Sequence, residues 1–225
     1  MPTPAAEDYL KAIYLLSVEG RRVSNSAIAE RLGIAAASVT EMLKRLGEAG
    51  LVEHVPYRGV TLTPAGVEMA VRLIRRHRVL ESFLVEQLGY TWDQVHDEAE
   101  RLEHAASDEL IDRMARLLGE PREDPHGHPI PERGRVFLEE PLPTLADLEV
   151  GRRAVLRRVS DEDPALLRYL AELNLRPGVT IELLDRAPFG GPLRVRIGEA
   201  VEMLGVELAK RLHIEPLGEE AAEGA

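Results

Sequence analysis

Three residues of one short stretch could hold a metal ion together. In His96-Asp97-Glu98-Ala99-Glu100-Arg101-Leu102-Glu103-His104, the ligand types Glu100, Glu103 and His104 stand at i, i+3 and i+4, a spacing that brings them to one face of a helix. His77 and Glu81 form a second pair at i, i+4. A lone histidine or glutamate on a helix is usually a solvated surface group, but five such residues on two neighbouring helices tilt the reading toward metal. The chain has no cysteine, which excludes thiolate sites, zinc fingers and disulfides. Any ion must therefore be held by imidazole and carboxylate. A zinc or dinuclear hydrolase could use the same residue types. Against it, Glu103-His104 does not form the His-Glu-x-x-His signature, and the chain has no nucleophile elbow or phosphate loop.

The elements that must position these residues can be traced from the N-terminus. Residues 6–18 pattern as an amphipathic helix on Leu10, Ile13 and Tyr14. A second helix starts at the capping residue Ser24 and stops at Gly33, and a third runs from the Ile34-Ala35 turn to about Ala49 on Val39, Met42, Leu43 and Leu46. Residues 51–55 and 60–62 read as two short strands joined by Pro56-Tyr57-Arg58-Gly59, a turn with a basic tip. Thr63-Pro64 opens a long helix to about Leu88. Thr91-x-x-Gln94 resembles a capping box opening a further helical stretch, broken near Ala106-Ser107 and ending at Gly119. Its apolar residues Val95, Leu102, Leu110, Met114 and Leu117 exceed what an isolated hairpin would bury, which suggests a dimer interface.

Helix, turn, helix and a basic-tipped hairpin is the arrangement of a winged helix-turn-helix, in which the second helix of the pair enters the major groove. The small residues Ala35, Ala36, Ala37, Ser38 and Thr40 let backbone approach base edges and offer methyl contacts to thymine. Arg31, Lys44, Arg45 and Arg58 stand where phosphates would be met. The same fold can serve protein contacts instead. Net charge is −11, unevenly spread: residues 1–78 carry 11 Lys/Arg against 8 Asp/Glu, net +3, leaving 17 against 31, net −14. Only the N-terminal part suits phosphate. No run of about 18 apolar residues and no signal-peptide pattern occurs, so the expected location is the cytoplasm, with no membrane partner. Prolines 121, 125, 129, 131, 141 and 143 mark a linker. Beyond it, strands at 154–159, 180–184 and 193–197 and a helix from Pro164 to Leu173 suggest a small β-barrel-like module.

At this point the motifs carry a likeness. Arg76-His77-Arg78-x-x-Glu81, then Val95-His96-Asp97-Glu98-Ala99-x-x-x-Glu103-His104-x-x-Ser107-Asp108-Glu109, with Glu7-Asp8-Tyr9-Leu10-x-x-Ile13-Tyr14 and Ile28-Ala29-Glu30-Arg31-Leu32, resembles the diphtheria toxin repressor family of metal-dependent regulators. The Pro125-His126-Gly127-His128-Pro129-Ile130-Pro131 segment and the C-terminal module extend the likeness over essentially the whole chain.

What the resemblance implies is a mainly α protein with small β parts. Its divisions are a winged helix-turn-helix domain over 1–72, a helical dimerisation and metal-binding domain over 73–140, an SH3-like (ferrous-transport-like) domain over 145–217 and a tail over 218–225. It implies an effector metal site at Asp8, Glu100, Glu103 and His104. It also implies an ancillary site at His77, Glu81 and His96, with His126 and Asp163, where Asp124 and His128 are lesser candidates and Leu166 replaces a side chain that ligates in some members. The implied partners are double-stranded operator DNA and a second copy in a homodimer. The implied role is metal-activated control, with repression of metal-uptake genes. Iron-sensing members resemble this chain except for a methionine and a cysteine at the places of Asp8 and Glu100. Carboxylates at both suit Mn(II), with Fe(II) the alternative and Zn(II), Co(II), Ni(II) or Cd(II) able to bind in vitro. The manganese-sensing branch carries a glutamate where this chain has Lys11. Asp8→Ala or Glu103→Ala is expected to abolish metal-stimulated DNA binding with the fold intact.

Overall fold

The computed structural model describes residues 3–18, 23–55, 59–134, 141–160 and 163–218, which form two compact units. The first comprises residues 1–83, 98–122 and 129–141. Its helices begin with α1 (Pro4–Val18), α2 (Asn25–Leu32) and α3 (Ala36–Glu48), followed by the antiparallel strands β1 (Val52–Val55) and β2 (Gly59–Leu62). Next come α4 (Pro64–Leu88), whose last turn belongs to the second unit, α5 (Val95–Glu103), which enters the first unit at Glu98, and α6 (Asp108–Leu117).

The helix limits follow the local chemistry. Ser24 Oγ accepts from the Ala27 amide at the start of α2, and Gly33 ends it at φ +64°, a conformation that glycine adopts without steric cost. Leu10, Ile13, Ile28, Val39, Val52, Val60 and Ile74 from these elements meet in one core. Arg75 and Arg78 donate to the carbonyls of Pro131 and Pro129, so the proline-rich stretch expected to be a linker is held in part on α4.

The capping-box expectation at Thr91 is corrected. Residues 92–94 form a turn and the helix opens at Val95, with the Thr91 carbonyl accepting from the Gln94 amide. The break before α6 is real, and Ser107 Oγ caps α6 by accepting from the Leu110 amide at 3.2 Å. Ser107→Ala should lower stability by about 1 kcal/mol, readable as a lower urea midpoint at unchanged slope.

The second unit gathers residues 84–97, 123–128 and 142–225. Its sheet is antiparallel, with strands β3 (Arg153–Val159), β4 (Thr180–Arg186), β5 (Leu193–Ile197), β6 (Ala200–Leu204) and β7 (Leu212–Pro216) in the order β6-β5-β4-β3-β7. This is the SH3-like architecture as an open five-stranded sheet rather than a closed barrel. Sequence periodicity found β3, β4 and β5. It missed β6 and β7, because β6 alternates weakly as an exposed edge and β7 is interrupted by charged and polar residues. The helix α7 (Pro164–Glu172) and the short α8 (Val206–Ala209) complete the unit. Leu156, Leu167, Leu170, Ile181, Val195 and Ile214 fill its core together with Trp92.

Candidate metal centre and nucleic-acid interface

Within the first unit, α1 meets the end of α5 through side chains of opposite charge. His104 stands between two neighbouring acids of α1, with Nδ1 2.8 Å from Glu7 Oε2 and Nε2 2.9 Å from Asp8 Oδ1. Asp8, Glu103 and His104 each offer a ligand atom within 4.8 Å of the others. Glu100, the fourth expected effector residue, is exposed on α5 and contributes to this centre electrostatically. Burial raises the Asp8 carboxyl above the ordinary carboxylate range; His104 and Lys11 oppose that, while Glu103 and Glu100 add to it. A divalent cation beside Asp8 would favour its ionised form. Two carboxylates and one imidazole also form a hard donor set, so the residues present fit the group that the sequence implies.

Glu103 is 1% exposed and receives the Lys11 ammonium and the His77 ring. Lys11 Nζ donates to both of its oxygens at 3.1 and 3.0 Å, and His77 Nδ1 lies 2.5 Å from Oε2. His77 Nε2 faces Glu81 Oε1 at 3.0 Å. Burial and Lys11 work to lower the His77 pKa, but Glu81 and the contacts to both carboxylates outweigh them and hold it above the usual imidazole value. Both ring nitrogens thus face carboxylate oxygens, an arrangement that favours the protonated ring and from which a metal ion at His77 would have to displace a proton. Burial works to raise Glu103, and Lys11 and His77 outweigh it, leaving the carboxyl below its ordinary value. Arg76 holds the same turn from behind, donating from Nη1 to the Glu103 carbonyl and from Nε to Asp108.

In the second unit, His126 is fully buried. Its Nε2 lies 2.7 Å from the Trp92 carbonyl, which can only accept, so Nε2 carries a proton and Nδ1 is the nitrogen through which a metal would be bound. The ring also stacks on Trp92 with centroids 5.8 Å apart. Asp124 Oδ1 accepts from the amides of His126 and His128 and fixes their turn. His96 is half-buried on α5. Asp163 is exposed and serves as the N-cap of α7, accepting from the Ala165 and Leu166 amides, and among the described residues it joins no grouping of ligand atoms.

At the expected DNA surface, Ala35, Ala37, Ser38, Thr40, Lys44 and Arg45 are all exposed, while Val39 and Leu46 of the same helix face the core. Arg31 is half-buried on α2. Arg58 lies outside the described residues. Sequence reasoning missed two contacts here. Glu7 adjoins Asp8, so an acid one position from a ligand was the signal. Asn25 Nδ2 donates to Thr40 Oγ1 at 2.9 Å, a link between α2 and α3 that spacing alone does not announce.

Residues 1–60 match the N-terminal DNA binding domain of iron dependent repressors, residues 63–132 their metal binding and dimerisation domain, and residues 144–216 a FeoA domain. The chain is 30% identical over 220 residues to a diphtheria toxin repressor of Corynebacterium glutamicum, covering 93% of this chain and 95% of that protein. It is 39% identical over 125 residues to the HTH-type transcriptional regulator MntR of Lysinibacillus sphaericus, covering 56% of this chain and 89% of that one. A manganese-dependent transcriptional repressor solved in complex with manganese superposes at a TM-score of 0.87 with 41% identity, over 94% of this chain and 100% of the other. With DNA-binding, metal-binding and FeoA parts in this order, the chain belongs to the diphtheria toxin repressor family of metal-dependent transcriptional repressors, which are not enzymes.

Proposed function

We propose that this chain is a manganese-activated, homodimeric regulator of the cytoplasm that represses metal-uptake genes by binding operator DNA through α3. The observation that carries the reading is the meeting of His104 and Glu103 with Asp8, because Asp8 sits on the first helix of the DNA-binding part and the other two at the end of α5. Asp8, Glu100, Glu103 and His104 would hold the effector ion. A divalent cation held there supplies the positive charge that lets these carboxylates sit together. Asp8 and Glu7 then keep α1 against the end of α5, which fixes the orientation of α3 relative to the dimerisation helices and brings two half-sites into register. The exposed Leu102, Leu110 and Leu117 are the apolar face expected to meet the second copy. Among the described residues no helix is long and apolar enough to cross a membrane.

The absence of sulfur from the donor set favours Mn(II) over Fe(II), although Zn(II), Co(II), Ni(II) and Cd(II) should also bind in vitro. On the resemblance alone, a second ion is proposed for His77, Glu81, His96 and His126. Asp163 belongs to that set on the same ground.

Selection from a random pool of duplex DNA, with and without Mn(II), tests the reading. The manganese-loaded chain should enrich an inverted repeat that the chelated chain does not. Asp8→Ala and His104→Ala should abolish Mn(II)-dependent retention, with an unchanged melting curve in chelator. Enrichment indifferent to chelator would point to a metal-independent winged-helix regulator, and activation by Fe(II) alone to the iron-responsive alternative.

A further inference from the structure

Lys11 is a cation already in place beside the proposed effector ligands. Its ammonium lies within 3.1 Å of both Glu103 oxygens and 3.2 Å from His77 Nδ1, and its side chain is 14% exposed. It reaches from α1 to α4 and α5 in one step. Glu103 is shared between two arrangements: it closes the ion pair with Lys11 and it belongs to the ligand grouping with Asp8 and His104.

We propose that Lys11 is a built-in competitor for the effector ion, which holds Glu103 in the metal-free chain and thereby sets the metal concentration at which the site fills. The proposal rests on the reading of Asp8, Glu103 and His104 as that site. Two physical consequences follow from the geometry. A divalent cation entering beside the ammonium meets like-charge repulsion and must share or take the carboxylate that Lys11 holds. In the metal-free chain, the same ammonium supplies a tie between α1 and α5, so the two helices are joined before any metal arrives. A lysine that only shaped the packing would do neither through its charge.

The full chain with Lys11→Met, Lys11→Gln and Lys11→Arg separates these roles, using equilibrium dialysis against Mn(II) alone and amide hydrogen exchange. The two neutral variants should bind Mn(II) roughly tenfold more tightly or better, and Lys11→Arg should stay close to the parent value. In chelator, α1 amides of the neutral variants should exchange roughly tenfold faster, with the difference gone at saturating Mn(II). Unchanged or weaker Mn(II) binding by both neutral variants, or behaviour shared by all three, would overturn the proposal. Asp8→Ala distinguishes the two readings. If it leaves Mn(II) binding untouched, the effector site itself is wrong and Lys11 falls with it; if it weakens binding while the neutral Lys11 variants change nothing, only the competitor role fails.

Discussion

Glu103→Ala should abolish metal-stimulated DNA retention and also destabilise the metal-free chain by about 3–5 kcal/mol. The first effect follows from losing the carboxylate common to the Asp8–His104 grouping. The second corrects the expectation that this substitution spares the fold. Glu103 is 1% exposed and takes hydrogen bonds from both Lys11 and His77. An alanine would leave the Lys11 ammonium and the His77 ring together without the carboxylate that both face. The Lys11 side chain could turn toward solvent and recover part of the loss, but the His77 side chain, 4% exposed, has no such route. Glu103→Gln separates the two effects. Its amide oxygen still accepts from Lys11 or His77, so most of the stability should return while metal activation does not. Melting curves in chelator and Mn(II) titrations of DNA retention read the pair. Mn(II)-dependent DNA binding retained by Glu103→Gln would remove this residue from the effector set.

The parts of the site that follow helical periodicity were readable from the chain itself. His77 and Glu81 are one turn apart, and the structure brings Nε2 to Oε1 at 3.0 Å. The limits of α4 and the break before α6 were equally plain, since Thr63-Pro64 and Ser107 announce helix starts through local hydrogen bonding. What spacing could not reveal was pairing between elements far apart in sequence. The contact of Asp8 with His104 spans 96 positions and entered only through family resemblance. Lys11 illustrates the limit most clearly. In sequence it is the absence of a carboxylate, whereas in three dimensions it is a positive charge lodged on the carboxylate that matters most. Prolines 125, 129 and 131 suggested a linker on composition alone. The turn they flank is instead fixed by Asp124, whose carboxylate collects two amides, a role that no compositional signal carries.

The turn over residues 124–128 carries the second large expected effect. Gly127→Ala should cost on the order of 3 kcal/mol or more, because two constraints act on the same atom. Gly127 has φ +87°, and a Cβ built there would stand 1.8 Å from the Arg157 carbonyl oxygen. Backbone on β3 cannot yield as a flexible side chain would. The turn would have to lift away, straining the hydrogen bond from the Val159 amide to the His126 carbonyl and pulling the His126 ring from the Trp92 carbonyl that fixes its tautomer. Gly178→Ala is the matched control. Its φ is +94°, yet nothing lies within 4 Å of the added carbon, so only the conformational strain of about 1 kcal/mol applies. Thermal unfolding in chelator should therefore show a far larger fall for Gly127→Ala than for Gly178→Ala. If His126 holds the second ion, Gly127→Ala should also lose that ion on dialysis under conditions where it is still folded, and Gly178→Ala should keep it. Equal losses of stability would mean that positive φ alone governs both positions, and that the close approach of this turn to β3 contributes nothing to the placement of His126.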